Sequence, residues 1–283
     1  MNKDILIDIL IKNALQEDIA DGDHSTLSTI DVTAKGKAVL KIKQEGVLAG
    51  MGVAEKILRT MQPDIEFTAL KKEGELIHYG DVAFEVMARV HTILQCERLI
   101  LNCMQRMSGI ATLTHKYVQK LEGYKTRLLD TRKTTPNFRV LEKEAVRIGG
   151  AVNHRFGLYD MIMLKDNHID YCGGIKNAIE KAYTYVQTQK PGLKIEVETR
   201  NISDVEIVLQ TGKIDRIMLD NFKPDQITEA LQLIKGKYET EASGGINYEN
   251  LESYAATGVD YISSGAIIHQ AVSLDFSLKA IIQ

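Results

Sequence analysis

Apolar and polar positions change period twice along the chain. Ile5, Ile9 and Leu10 recur at helical spacing and predict an amphipathic helix over 5–19, ended by Asp21-Gly22-Asp23. His24-Ser25-Thr26 is expected to follow in a loop, with His24 making a structural hydrogen bond. From Lys35 the period drops to two. Lys35 to Ile42, Ile65 to Leu70 and Val82 to Ala88 read as strands, the last two separated by turns at Gly74 and Gly80. A helix is expected from Val53 to Met61, after Gly46, Gly50 and Gly52. Those glycines do not form G-x-G-x-x-G, so no dinucleotide site is assigned to them. Residues 91–121 return to the helical period, with a break expected at Ser108-Gly109.

From residue 126 short apolar runs alternate with helical stretches. The strands are Thr126 to Leu129, Met161 to Leu164, Leu193 to Val197, Arg216 to Leu219, Tyr238 to Ala242 and Val259 to Ile262. Helices are expected from Phe138 to a stop at Gly149-Gly150, and over 175–186, 203–209, 225–234 and 249–256. Six such units suit a parallel β/α barrel, while a full set of eight is not legible. The closing stretch, 274–282, reads as helical. The fold class is α/β. A small N-terminal α+β domain with a long connecting helix is expected over 1–115, an incomplete TIM-like β/α barrel carrying the site over 116–273, and a C-terminal helix over 274–283.

Composition narrows the function classes. Hydrophobic residues make up 44% and charged residues 26% of the 283 positions, as in ordinary soluble domains. The net charge of −3 supplies no global basic field for nucleic acid. No uninterrupted apolar run approaches the roughly 18 residues of a membrane span. Acidic residues interrupt the N-terminus, so no signal peptide is expected and the protein is placed in the cytoplasm. Cys96, Cys103 and Cys172 form no C-x-x-C motif and read as buried free thiols, without disulfide or zinc.

The candidate chemistry centres on Asp130 to Ile169. This stretch holds Arg132, Lys133, Arg139, His154, Arg155, Lys165 and His168. Arg132 and Lys133 follow one strand, Arg155 follows a glycine turn, and Lys165 ends the next strand. In a parallel α/β fold, groups just past the carboxyl ends of neighbouring strands meet in one crevice. Cations gathered there call for an anion, and guanidinium groups match carboxylates and phosphates bidentately. Lys143 and Arg147, beside acidic neighbours, read instead as solvated helix charges. Later strand ends add Glu198, then Asp220 with Asn221. Ser243-Gly244-Gly245 and Ser264-Gly265-Ala266 are small loops whose backbone N–H groups suit phosphate. Arg98, among Ile93, Leu94, Leu99 and Leu101, needs a partner, for which Glu97 and Glu55 are the local candidates.

Three blocks in order carry a family resemblance. They are DTRKTTP at 130–136, GG-x-x-NHR-x-GL-x-D at 149–160, and LKDNH at 164–168. Together they closely resemble the quinolinate phosphoribosyltransferases, also called carboxylating nicotinate-nucleotide pyrophosphorylases. Asn137-Phe138 stands where the family pattern has glycine and leucine, and Ala151 where a third glycine is common; neither change removes a cation.

The resemblance implies an open, incomplete barrel and phosphoribosyl transfer to quinolinate with decarboxylation, a step of NAD biosynthesis. It implies Lys133, Lys165, Glu198 and Asp220 as catalytic residues. Quinolinate would be held by Arg132, Lys133, His154, Arg155 and Lys165, with Thr131 alongside. Phosphoribosyl pyrophosphate would lie on Ser243, Gly244, Gly245, Ser264, Gly265 and Ala266. Glu198 and Asp220 would hold its ribose directly or through Mg2+ and water. Arg98, in the matching E-R-x-x-x-N segment, would reach the partner's site in a homodimer with shared active sites.

Three other readings stay open on the residues alone. Lys165 at a strand end suits a Schiff-base aldolase or lyase. Relatives encoded with molybdate-transport genes share much of the motif and differ in substrate. A protein that only binds an anionic metabolite would keep the same cations.

Overall fold

The computed structural model describes residues 2–281, which form two compact units. The first comprises residues up to 115 together with 134–150 and the segment from 267 onward; the second comprises 116–133 and 151–266. The expected boundary at 115/116 is present. The sequence reading placed 134–150 inside the barrel domain and set the C-terminal segment apart, and both instead cluster with the first unit.

In the first unit an antiparallel sheet runs in the order Phe276–Ile281, Lys35–Ile42, Val82–Arg89, Glu66–Ala69. The expected C-terminal helix is therefore a strand as far as Ile281, paired with Lys35–Ile42 from Lys37↔Ile281 to Ile42↔Phe276. Phe276, Ser277 and Leu278 are buried in succession and Lys279 onward is exposed, so it is the ladder to Lys35–Ile42, and not a burial stripe, that makes this segment a strand. The part of that expectation covering Ile282 and Gln283 lies outside the described residues.

Helices Lys3–Ile19 and Met51–Met61 are present where expected, but the first buries Ile11 and Leu15, while Ile5 and Ile9, expected on its apolar face, are exposed. His24-Ser25-Thr26 is not a loop but opens the short helix His24–Thr29. Asp23 caps it by accepting the Thr26 N–H at 3.1 Å. His24 itself is exposed, 3.7 Å from Asp21.

The long helix is continuous over Val90–Lys120, with no break at Ser108-Gly109. Those two residues serve packing. The Ser108 hydroxyl accepts the Ala49 N–H and donates to the Ala49 carbonyl. A Cβ on Gly109 would stand 2.1 Å from the Val272 carbonyl oxygen, so only glycine allows this approach. Lys143 also departs from expectation. The helix Arg139–Ile148 is buried around most of its circumference, and Lys143 is only 1% exposed. Arg147 does lie outside, paired with Glu144.

The second unit holds six parallel strands in the order Arg127–Leu129, Tyr261–Ser263, Glu239–Ser243, Arg216–Asp220, Ile195–Thr199, Ile162–Leu164. All six strands read from the sequence are present, and among the described residues no ladder joins the two edge strands. The sheet is an open barrel. Helices Ile175–Gln189, Ile202–Thr211, Pro224–Ile234 and Leu251–Ala255 follow its later strands. Two short helices, Asp166–Cys172 and Ala266–His269, were not foreseen. Among the described residues no helix is long and apolar enough to cross a membrane. The cysteines are free; Cys96 and Cys103 are buried as expected, whereas Cys172 is half-exposed.

Candidate active site

Strand direction builds the site. All six strands point the same way, so the residues after Leu129, Leu164, Val197, Leu219, Ala242 and Ile262 gather at one end of the barrel. A cavity of about 660 Å3 opens there. It is lined by Thr131, Arg132, Lys133, His154, Arg155, Lys165, Glu198, Asp220, Ser243, Gly244, Gly245 and Gly265, all named from the sequence.

Three sequence-named residues, Arg98, Ser264 and Ala266, are not among the lining. The Ser264 N–H donates to the Leu129 carbonyl at 3.1 Å and its hydroxyl to the Ile246 carbonyl at 2.9 Å, so both donors are engaged inside the fold. Ala266 begins a short helix and is buried. Ser263 lines the cavity beside Gly265 instead. Arg98 belongs to the first unit and is exposed on the long helix; Glu55, one of its candidate partners, pairs with Arg59 at 2.9 Å instead.

The cations are held from below. Arg155 Nη1 donates to the Met161 carbonyl at 3.2 Å. Burial pulls the Arg155 basicity down, and the charge of Arg132 adds to that effect. Arg132 Nε is buried without a hydrogen-bond partner. A buried N–H of a cation left unpaired is costly, and an anion in the cavity would satisfy it. Lys165 Nζ reaches Glu198 Oε2 at 3.1 Å, and the Lys165 N–H donates to His168 Nδ1 at 3.0 Å. The Lys133 N–H donates to Thr131 Oγ1 at 3.0 Å, which closes the loop after the first strand.

The carboxylates stand at neighbouring strand ends. Asp220 is pushed above its ordinary range by burial and by the charge of Glu198, with Ser243 and Lys165 opposing. Two hard oxygen donors that repel one another suit a Mg2+ ion accompanied by water. Gly244 has φ +96°, and a Cβ there would stand 2.2 Å from Asn221 Oδ1, so the loops after two adjacent strands touch through a glycine. Gly245 also has positive φ, at +63°.

Sequence reasoning missed Asp130, Glu196, Arg216 and Glu241. Asp130 Oδ1 accepts the His154 N–H at 2.7 Å. Glu196 and Glu241, both 0% exposed, converge on His154 Nε2 at 3.0 and 3.2 Å. The signal was present as glutamates two residues apart inside strands, at 196 and 198 and at 239 and 241. That period points both members of each pair to one face of a strand buried on both sides.

Comparison with known proteins agrees with this geometry. The family model for the quinolinate phosphoribosyl transferase C-terminal domain matches residues 110–279, and that for the N-terminal domain matches 23–108. Quinolinate phosphoribosyltransferase [decarboxylating] 1b of Nicotiana tabacum is 40% identical over 95% of this chain and 81% of its own length. The probable nicotinate-nucleotide pyrophosphorylase [carboxylating] of Synechocystis is 41% identical over 98% of this chain and 93% of its own. Among solved structures, NadC from Streptococcus pyogenes superposes with a TM-score of 0.90 at 40% identity, covering 98% of this chain and 97% of that one. With both domain models matched and near-complete relatives at this identity, the chain belongs to the quinolinate phosphoribosyltransferase family.

Proposed function

We propose that this chain transfers the phosphoribosyl group of phosphoribosyl pyrophosphate to quinolinate with decarboxylation, giving nicotinate mononucleotide, carbon dioxide and pyrophosphate in de novo NAD biosynthesis. The carrying observation is one cavity in which Arg132, Lys133, Arg155 and Lys165 meet two carboxylates and two small glycine loops. Quinolinate carries two adjacent carboxylates and suits the cations, of which Arg132 keeps a buried donor unpaired. The 5′-phosphate suits the loops at Ser243–Gly245 and Gly265.

In this reading Glu198 and Asp220 hold the ribose hydroxyls, and they are the residues that would hold Mg2+. The ion, when bound, offsets charge on the pyrophosphate. Lys133 neutralises the leaving pyrophosphate. Arg132, Arg155 and Lys165 orient the pyridine so that its nitrogen faces C1 of the ribose as pyrophosphate departs. Once alkylated, the ring nitrogen is positive, and the electron pair left by the departing carboxylate is stabilised beside that charge. No protein nucleophile is needed; the side chains supply orientation and fixed electrostatics.

The working form we propose is a cytoplasmic homodimer. Arg98 is exposed on its helix, which leaves it available to complete a partner's site.

The test is formation of nicotinate mononucleotide from quinolinate and phosphoribosyl pyrophosphate with Mg2+, with nicotinate as the parallel substrate. Turnover of quinolinate alone is expected. Failure with quinolinate would overturn the proposal.

A further inference from the structure

Charged side chains fill part of the barrel centre beneath the cavity, where apolar residues ordinarily stack. Strand register sets Glu196 and Glu239 on either side of Arg216, as the pairs Glu196↔Arg216 and Glu239↔Arg216. Arg216 Nη1 lies 3.1 Å from Glu241 Oε2, and its Nη2 lies 3.0 Å from Glu239 Oε2. The same Glu241 oxygen is 3.2 Å from His154 Nε2, and Glu196 Oε2 is 3.0 Å from that nitrogen. The Glu239 side chain is 40% exposed at the rim, so solvent screens it. The fully enclosed set is then two carboxylates, one guanidinium and one imidazole.

That set is one negative charge in excess until a proton is added; burial and the charge of Glu241 push Glu196 up as well, but the imidazole is the more basic group and takes the proton first. One contact points the other way, since the Arg155 N–H lies 2.6 Å from His154 Nδ1 and favours the neutral ring. Two full carboxylate charges at hydrogen-bond distance outweigh a single amide dipole in a buried site. Burial by itself disfavours the charge on His154, and the carboxylates override it, pushing its pKa up to about 9. The three ligand-type atoms lie within 4.8 Å of one another, but the Arg216 guanidinium already supplies a cation at Glu241. His154 in turn lines the cavity beside Arg132, Arg155 and Lys165, with its N–H fixed on Asp130.

We infer that Glu196 and Glu241 are positioning residues that act on the substrate through His154, holding its ring in place and keeping it a cation on the cavity floor for a substrate carboxylate. The inference rests on the proposed reading of the site. It distinguishes these two glutamates from Glu198, which pairs with Lys165; Glu241 also borders the cavity, but its Oε2 is directed at His154 and Arg216.

Equilibrium binding of quinolinate and, separately, of phosphoribosyl pyrophosphate with Mg2+ tests it in Glu196→Gln, Glu241→Gln, His154→Gln and the two double variants. Each glutamine variant is expected to weaken quinolinate binding at least about tenfold and to leave phosphoribosyl pyrophosphate binding unchanged, which also shows that it has folded. In the His154→Gln background neither glutamine change should weaken quinolinate further, because contacts in one network are not additive. Additive losses, equal losses for both ligands, or wild-type quinolinate affinity in both single variants would overturn the inference. Wild-type protein that binds no quinolinate would instead overturn the proposed function.

Discussion

Lys165 and Glu198 form an ion pair, Nζ to Oε2 3.1 Å, across the carboxyl ends of two adjacent parallel strands in which Leu164 pairs with Val197. The lysine is half-exposed and Glu198 is buried. Before any substrate enters, the cavity therefore holds a balanced pair that an incoming anion can redistribute. Lys165→Ala is expected to lower kcat/KM by about 10^2–10^3-fold, the loss typical of removing one preorganised donor. Arg132→Ala is expected to do the same. Steady-state kinetics on folded variants decide this, and near-normal kcat/KM in both would remove these residues from the site.

Shared sites make a different prediction. Arg98→Ala and Lys165→Ala chains should each be severely impaired alone. Unfolded together and refolded, random pairing restores about a quarter of the sites in a two-fold dimer with shared sites. No recovered turnover in a mixture shown to contain mixed dimers would count against the proposed assembly.

Gly244 governs how close two loops come. Replacing it by alanine places a Cβ 2.2 Å from Asn221 Oδ1 and strains a backbone with φ +96°. The loop must move, and KM for phosphoribosyl pyrophosphate should rise more than KM for quinolinate. Equal effects on both substrates would argue that the loop does not hold the phosphate.

Stability has its own buried charge. Within the first unit Arg106 Nη2 meets Glu142 Oε1 at 2.9 Å and also donates to the Ile268 carbonyl, while Nη1 donates to the Ala271 carbonyl. Glu142 is 0% exposed, so Arg106→Ala leaves a buried carboxylate without its guanidinium, held by the Thr135 N–H and hydroxyl. A loss of about 3–5 kcal/mol is expected from breaking such a pair. At roughly 2–4 °C per kcal/mol this lowers Tm by about 6–20 °C, readable by calorimetry. A change within a degree would show that other groups carry Glu142.

Thiol chemistry separates the three cysteines. Burial pushes Cys96 and Cys103 up to about 12, so neither supplies thiolate near neutral pH. Titration of native protein with an aromatic disulfide should therefore detect the half-exposed Cys172 alone, and denaturant should release the other two. Rapid reaction of all three in the native state would contradict the buried placement.

His154 also shapes the response to pH. Its folded pKa, about 9, lies above the ordinary histidine value near 6.5. Its contribution to stability is thus complete below about 6.5 and lost as pH rises through about 9. Quinolinate binding should weaken over the same upper range. Histidine ring NMR reads this directly, and a ring that titrates near 6.5 would place the proton elsewhere.

Most barrel strands were legible as short apolar runs ending in a polar or glycine turn, as in Arg216–Asp220 followed by Asn221, whereas Tyr238 to Ala242, with two glutamates, was legible only from its place in the alternation of strands and helices. The cavity was legible for the same reason, since strand ends converge wherever the sheet is parallel. Glu196, Arg216 and Glu241 escaped because charged residues inside a strand resemble a solvated face, and only register shows that they meet. Ser108-Gly109 resembled a helix break because the sequence does not show Val272 lying against that glycine. Asn137 is the reverse case. It stands where the family pattern has glycine and adopts φ +62°, a region asparagine enters more readily than most other side chains.

The pairing of Phe276–Ile281 with Lys35–Ile42 has a consequence for how the chain is made. The first sheet lacks an edge strand until residues 276–281 have been added. That sheet closes a loop of more than two hundred residues, a long-range contact of the kind that slows folding. The barrel segment is synthesised meanwhile and is free to form first. A chain terminated just before Phe276 would therefore keep every cavity residue and still leave the first sheet with an open edge, exposed to strand addition by other chains.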